Sequence, residues 1–91
     1  GSDVWDDVIR RYPVGRAVVG EVTAHHPFGV FVDLGDPEAT GLIQITEFLD
    51  VGRMTPDQYP PLGQTVRAVV LGHTEDGRRQ IWLSVRPTVV G

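Results

Sequence analysis

The sequence predicts an all-β domain, a five-stranded Greek-key barrel with a short N-terminal helix and a helical turn between strands 3 and 4. Three observations predict it. Five apolar–polar alternating runs recur along the chain, separated by clusters of Gly, Pro, Asp and His. The most regular of them, Pro27-Phe28-Gly29-Val30-Phe31-Val32-Asp33-Leu34-Gly35, puts Val30, Val32 and Leu34 on one face and Phe31 and Asp33 on the other. Helix signatures are confined to the N-terminus and to one short segment among the prolines after the third run. Ninety-one residues, 41% of them hydrophobic, suffice for one small core.

Residues 3–12 carry apolar side chains at Val4, Trp5, Val8, Ile9 and Tyr12, the stripe of one helix face. Asp3 can cap its start, Asp6 and Asp7 suit the positive first turn, Arg10 and Arg11 suit the last, and Pro13 ends it. So short a helix is marginal alone, and its Trp5 face must dock on the following barrel or on a neighbouring domain. Gly15 to Thr23 reads as the first strand, with Val18, Gly20 and Val22 toward the core; Gly20 marks a close approach or sharp coiling. Ala24-His25-His26-Pro27 is then the turn into the phenylalanine strand, where Gly29 permits a bulge or kink that re-aims Phe28. A loop at 36–41 leads to a third strand, Leu42 to Thr46.

Phe48 to Gly63 holds Pro56, Pro60 and Pro61 and cannot be strand throughout; Thr55 as cap with Pro56 at the first position predicts one short helical turn. Gln64 to Leu71 is the fourth strand, with Val66, Ala68 and Val70 inward. His73 to Gly77 forms a turn, and Arg79 to Val85 is the fifth strand, with Ile81, Leu83 and Val85 inward and Trp82 and Ser84 outward. Five strands with their one internal helical turn between the third and fourth describe an OB-fold barrel. Residues 14–88 form this barrel, and residues 1–13 comprise a tag remnant, Gly1-Ser2, with a linker-type helix. The natural chain is expected to extend further on that side.

The composition removes several classes of chemistry. There is no cysteine, hence no disulfide, thiolate metal site or thiol nucleophile. No apolar run approaches the ~20 residues of a membrane span, and no signal-peptide pattern is present, so a soluble cytoplasmic protein is expected. His25, His26 and His73 lie in presumed turns without carboxylates at ligand spacing, so no metal or cofactor is expected. Asp33, Glu47, Asp50 and Asp57 sit at loop edges with no base or nucleophile motif, and no phosphate-cradling glycine loop or nucleophile elbow occurs; the chain reads as a non-enzyme. A formal charge of −4 argues against a strong, charge-driven nucleic-acid binder. All eight basic residues are arginine, which fits a general composition bias and equally a side chain that stacks on bases and grips phosphate bidentately.

Two phenylalanines three positions apart, one on the non-core face, are costly to expose without a use. They either pack under a loop or helix, or form a stacking platform for unpaired bases, where each stack is worth roughly 1–3 kcal/mol. Trp82, outward by parity, either packs on the Trp5 face of the first helix or contacts nucleic acid.

The motifs, taken together, resemble the S1 RNA-binding domain, the OB-fold module carried in tandem by ribosomal protein S1. They are Val14-Gly15 with Gly20-Glu21-Val22; Phe28 to Leu34; Gly41-Leu42-Ile43-Gln44-Ile45-Thr46-Glu47; Leu62 to Val70; and Ile81 to Arg86, in the family's order over most of the chain. The resemblance implies binding of single-stranded RNA on the barrel face that holds Phe28 and Phe31. The family's third-strand histidine is replaced by Gln44, which can hydrogen-bond a base edge or ribose hydroxyl but neither stacks as well nor becomes cationic. The aspartate and arginine of the family's final hairpin correspond most nearly to Asp76 and Arg79. Arg16 and Arg67 complete the candidate RNA-binding set as phosphate contacts. Two functions stay open: a monomeric single-stranded RNA-binding module, or a degenerate barrel that binds protein, on the ribosome or on a neighbouring domain.

Overall fold

The computed structural model describes residues 2–74 and 79–90. Its five strands are β1 (Ala17–His26), β2 (Gly29–Asp33), β3 (Thr40–Gln44), β4 (Thr65–His73) and β5 (Gln80–Ser84). They close into a barrel in the order β1-β2-β3-β5-β4. Every neighbouring pair is antiparallel except β3 with β5, which run parallel. This is the expected OB-type barrel. Val22, Val30, Val32, Ile43, Val70, Ile81 and Leu83 are all nearly inaccessible, and they fill its interior from alternate positions of the strands.

Gly20 and Gly41 let the barrel close tightly. A Cβ at Gly20 would stand 2.2 Å from the Val32 Cγ1 and 2.9 Å from the Asp33 carbonyl oxygen, so the expected close approach is real.

The helix α1 (Ser2–Arg11) docks on the barrel of its own chain. Val8 is fully buried in the core, with Trp5 and Tyr12 packed beside it. Burying Val8 alone contributes roughly 1.5–3 kcal/mol. Polar contacts fix the same join: the Arg11 guanidinium bonds Asp36 at 2.7 Å and the Tyr12 hydroxyl donates to Asp36 at 3.1 Å. His73 Nε2 meets the Tyr12 carbonyl at 2.6 Å. The Asp3 side chain, expected as cap, lies outside the described side chains.

Three strand ends differ from the sequence reading for a local reason, and one short helix is additional. Strand β1 continues through Ala24, His25 and His26 because a bulge at Thr23 absorbs one residue: Val22 pairs with Val32, and Ala24 with Phe31. Strand β4 likewise runs to His73 across a bulge at Leu71. Strand β3 stops at Gln44, and Ile45–Glu47 form a turn of 3-10 helix as the Ile45 N–H bonds the Phe28 carbonyl at 2.8 Å. A short helix α2 (Pro87–Val90), not expected from the pattern, follows β5. The predicted turn at Thr55 is present as 3-10 helix Pro56–Gln58, closed by Gln58 Oε1 accepting from the Thr55 N–H at 3.0 Å.

Candidate nucleic-acid interface

The two bulges decide what the outer face displays. Directly paired residues share a face, so the shift at Thr23 aligns Ala24 with Phe31, Phe31 with Leu42, and Leu42 with Trp82 in one row across β1, β2, β3 and β5. The bulge in β4 adds Gly72 beyond Trp82. Phe31 and Trp82 are half-buried in this row, and Leu42 between them is 5% exposed.

Phe28 stands at the turn before β2 and is 51% exposed, far more than a structural phenylalanine needs. Gly29 allows this turn to lie against β3: a Cβ there would stand 2.2 Å from the Ile43 carbonyl oxygen. Phe28 and Phe31 meet edge to face with centroids 6.1 Å apart. His26 completes an aromatic cluster, stacked on Phe28 at 5.0 Å with planes 9° apart, and edge-on to Phe31 at 5.0 Å. Tyr59, in the core, holds this end of β1 by donating its hydroxyl to the His26 carbonyl at 2.8 Å. Burial pushes the Tyr59 hydroxyl pKa up, which keeps it a donor.

A groove of about 600 Å³ runs along this face, lined by Phe28, Phe31, Leu42, Gln44, Ile45, Thr46, Gln80 and Trp82. Among the described residues, none that lines it is charged. Gln80 Oε1 and Trp82 Nε1 are shielded from water and have no hydrogen-bond partner among the described residues. Aromatic faces and amide groups in an uncharged trough suit flat rings with polar edges.

Of the residues proposed from sequence, Phe28, Phe31 and Gln44 line the groove together. Arg79 immediately precedes Gln80; it is exposed and held in the left-handed region at φ 56°. Arg16 and Arg67 do not line the groove. Arg16 bonds the Arg11 carbonyl oxygen and covers the Tyr12 ring, 5.5 Å from its centroid. Arg67 pairs with Val19, across β4 and β1, on another part of the wall. Asp76 lies outside the described residues.

Three readings change. Trp82 does not pack on the first helix; it lines the groove, while Trp5 stands edge-on to His73 at 6.4 Å. The three histidines are strand residues with tasks, His25 bonding the Pro60 carbonyl at 2.7 Å, His26 stacking on Phe28 and His73 holding Tyr12. The contribution of His26 was missed because a bulge leaves no mark in the alternation of Val18, Gly20 and Val22. Asp33 and Asp50 are structural: Asp33 accepts the Gly35 N–H at 2.8 Å, and Asp50 binds Arg86 at 3.2 Å.

Comparison with known proteins agrees with this architecture. The family model described as S1 RNA binding domain matches residues 11–86. The chain is 35% identical over 89 residues to small ribosomal subunit protein bS1 of Rhizobium meliloti, covering 97% of this chain and 15% of that protein. It is 33% identical over 82 residues to 4-hydroxy-3-methylbut-2-enyl diphosphate reductase of Clostridium acetobutylicum, covering 90% of this chain and 12% of that protein. The chain therefore spans a small part of the curated relatives it matches. Among solved structures, GSP13 from Bacillus subtilis superposes with a TM-score of 0.73 at 31% identity, over 88% of this chain and 60% of that one. A chain in the a/eIF2alpha-aDim2p-rRNA complex from Pyrococcus horikoshii gives 0.69 at 30% identity, over 82% of this chain and 45% of that one.

Proposed function

Because this chain belongs to the S1 RNA-binding domain family, we propose that it is a single-stranded RNA-binding module whose ligand lies in the groove of Phe28, Phe31 and Trp82. The observation that carries the reading is the uncharged aromatic trough itself. Bases stack on Phe28 and Phe31, at roughly 1–3 kcal/mol each, with Trp82 as a further ring along the row. Gln44 meets a base edge or a ribose hydroxyl. An uncharged groove also accords with a net charge of −4, since affinity then comes from stacking and hydrogen bonds more than from phosphate attraction.

A duplex buries its base faces in its own stack and cannot use such a platform, so the module selects single strands. The domain binds rather than catalyses; two relatives carry the name of a reductase, but this chain spans only 12% and 13% of their lengths. The ribosomal relatives support RNA on or near the ribosome as the natural partner, and a cytoplasmic place of work. Chain binding as a monomer completes the proposal.

Amide chemical-shift mapping with a single-stranded oligoribonucleotide tests it. Perturbations confined to Phe28, Phe31, Gln44 and the Trp82 indole support the groove. Perturbations centred on α1, or none at all, overturn it.

A further inference from the structure

Beyond the aromatic trough the surface does not end. A second groove of about 430 Å³ is lined by Ile45, Thr46, Leu49, Asp50, Gly52, Arg53, Met54 and Arg86. Ile45 and Thr46, in the 3-10 turn after β3, line both grooves, so the two adjoin at that turn. The chemistry changes between them. Among the described residues, the first carries rings and amides and no charge, and the second carries two guanidinium groups and one carboxylate.

That carboxylate is already engaged. Asp50 accepts from Arg86 Nε at 3.2 Å, from the Thr88 N–H at 3.1 Å and from the Thr88 hydroxyl. The Thr88 hydroxyl bond, followed by the other contacts, holds its pKa below the ordinary carboxylate value, so it is ionised and paired at neutral pH. Arg53 is exposed and makes no ion pair or hydrogen bond with any described residue. The second groove thus keeps one cation in excess, beside the apolar surfaces of Leu49 and Met54.

We infer that the bound strand runs out of the aromatic trough over Ile45 and Thr46 into this second groove, where Arg53 takes one of its phosphates. The inference rests on the reading of the aromatic trough as the RNA site and adds to it a direction and an anchor. Adjacency to the trough at Ile45 and Thr46 and opposite charge select the occupant: a polyanion that leaves a neutral groove is drawn toward the arginine beyond that turn. Arg86 stays with Asp50 as the fixed wall of the second groove.

The test uses two lengths of single-stranded RNA, about four and about ten nucleotides, within the range of site sizes seen for barrels of this type. Arg53→Gln removes the charge and touches no described partner. Arg10→Gln, on α1, removes the same charge at a distant exposed position. The longer RNA is expected to bind Arg53→Gln about threefold to tenfold more weakly than the unaltered chain, with a salt dependence shallower by about 0.7 in log affinity against log salt. The shorter RNA is expected to bind both alike, and Arg10→Gln to leave the longer RNA unaffected. Equal binding of the longer RNA by Arg53→Gln and the unaltered chain overturns the second groove and leaves the trough standing. Equal losses in Arg10→Gln and Arg53→Gln overturn it too, since the effect is then net charge alone. Failure of the unaltered chain to bind either RNA overturns the trough and the second groove together.

Discussion

The His26 imidazole lies on the Phe28 ring, with centroids 5.0 Å apart and planes 9° from parallel, although the two residues belong to opposite sides of the β1–β2 turn. This contact, with the edge-to-face contact to Phe31, orients a half-exposed phenylalanine. A ring held in advance loses less freedom when a base stacks on it, so the energy of the stack appears more fully as affinity. His26→Ala is therefore expected to weaken single-stranded RNA binding by about twofold to fivefold with little change in thermal stability. Titration of the variant beside the unaltered chain measures this; unchanged affinity rules out orientation by His26.

The two phenylalanines separate affinity from stability. Phe28→Ala removes a side chain that is half exposed, and it should cost about 1–3 kcal/mol of RNA affinity while leaving Tm within a degree or two. Phe31→Ala should cost a similar affinity and also lower Tm by several degrees, since Phe31 is half-buried against His26 and Phe28 and is paired with Leu42 in the same row. Thermal melts of both variants check the contrast. A large loss of Tm in Phe28→Ala would make that ring a structural staple.

Trp82 and Trp5 are the two tryptophans, and they stand in different parts of the molecule. In Trp5→Phe the remaining indole lines the groove, so single-stranded RNA should quench its fluorescence. In Trp82→Phe the remaining indole sits over His73, and RNA should leave its emission unchanged. The opposite pattern would move the binding surface to the helix.

The strand pattern carried most of the fold, because burial alternates with the same period as the chain's apolar residues. Val30, Val32, Ala68, Val70, Ile81 and Leu83 are all nearly inaccessible, as their parity requires, whereas Ser84, placed outward by the same parity, is fully buried at the end of β5. The site was only half legible. Phe28 and Phe31 stood out as two phenylalanines three positions apart, one off the core face, but His26 and Trp82 join them through pairing across strands, and the Thr23 bulge reverses the parity on which His26 depends. Arg16 and Arg67 were chosen as the arginines nearest the proposed face, but neither lines the groove, and Arg16 serves the helix join through Tyr12.

Gly20 should tolerate no side chain. Its missing Cβ would overlap Val32 and the Asp33 backbone, and the backbone cannot swing aside. Gly20→Ala is expected to destabilise the fold by about 1–3 kcal/mol or more, lowering Tm by roughly 10 °C in a domain of this size. Denaturant unfolding checks the magnitude, and a stability equal to that of the unaltered chain would contradict the tight β1–β2 approach.

Acid should loosen the helix join. The Arg11 guanidinium, then the Glu38 N–H, hold the Asp36 carboxyl below its ordinary range, against the opposing effect of burial. Its folded value is therefore lower than its unfolded one. The stability it contributes is complete above the unfolded value, near 3.8, and is lost as pH falls through the folded value below that. Asp36→Asn should be less stable at pH 7 by a few degrees of Tm and should lose less on acidification than the unaltered chain. Melts at pH 7 and below pH 4 test the sign; parallel losses in both proteins would contradict it.

The central claim is that affinity comes from an uncharged aromatic trough with only a few phosphate contacts. Anisotropy titration of labelled single-stranded and duplex RNA across a salt series measures it directly. Single strands should bind weakly, on the order of 10 µM for a lone domain, because one or two stacks must offset the cost of association. Duplex RNA should bind more weakly still. Two or three phosphate contacts at about −0.7 each give a slope of log affinity against log salt near −1.5 to −2. A slope steeper than about −4 with equal affinity for duplex and single strand, or no binding of single-stranded RNA at low salt by the folded chain, would contradict the account.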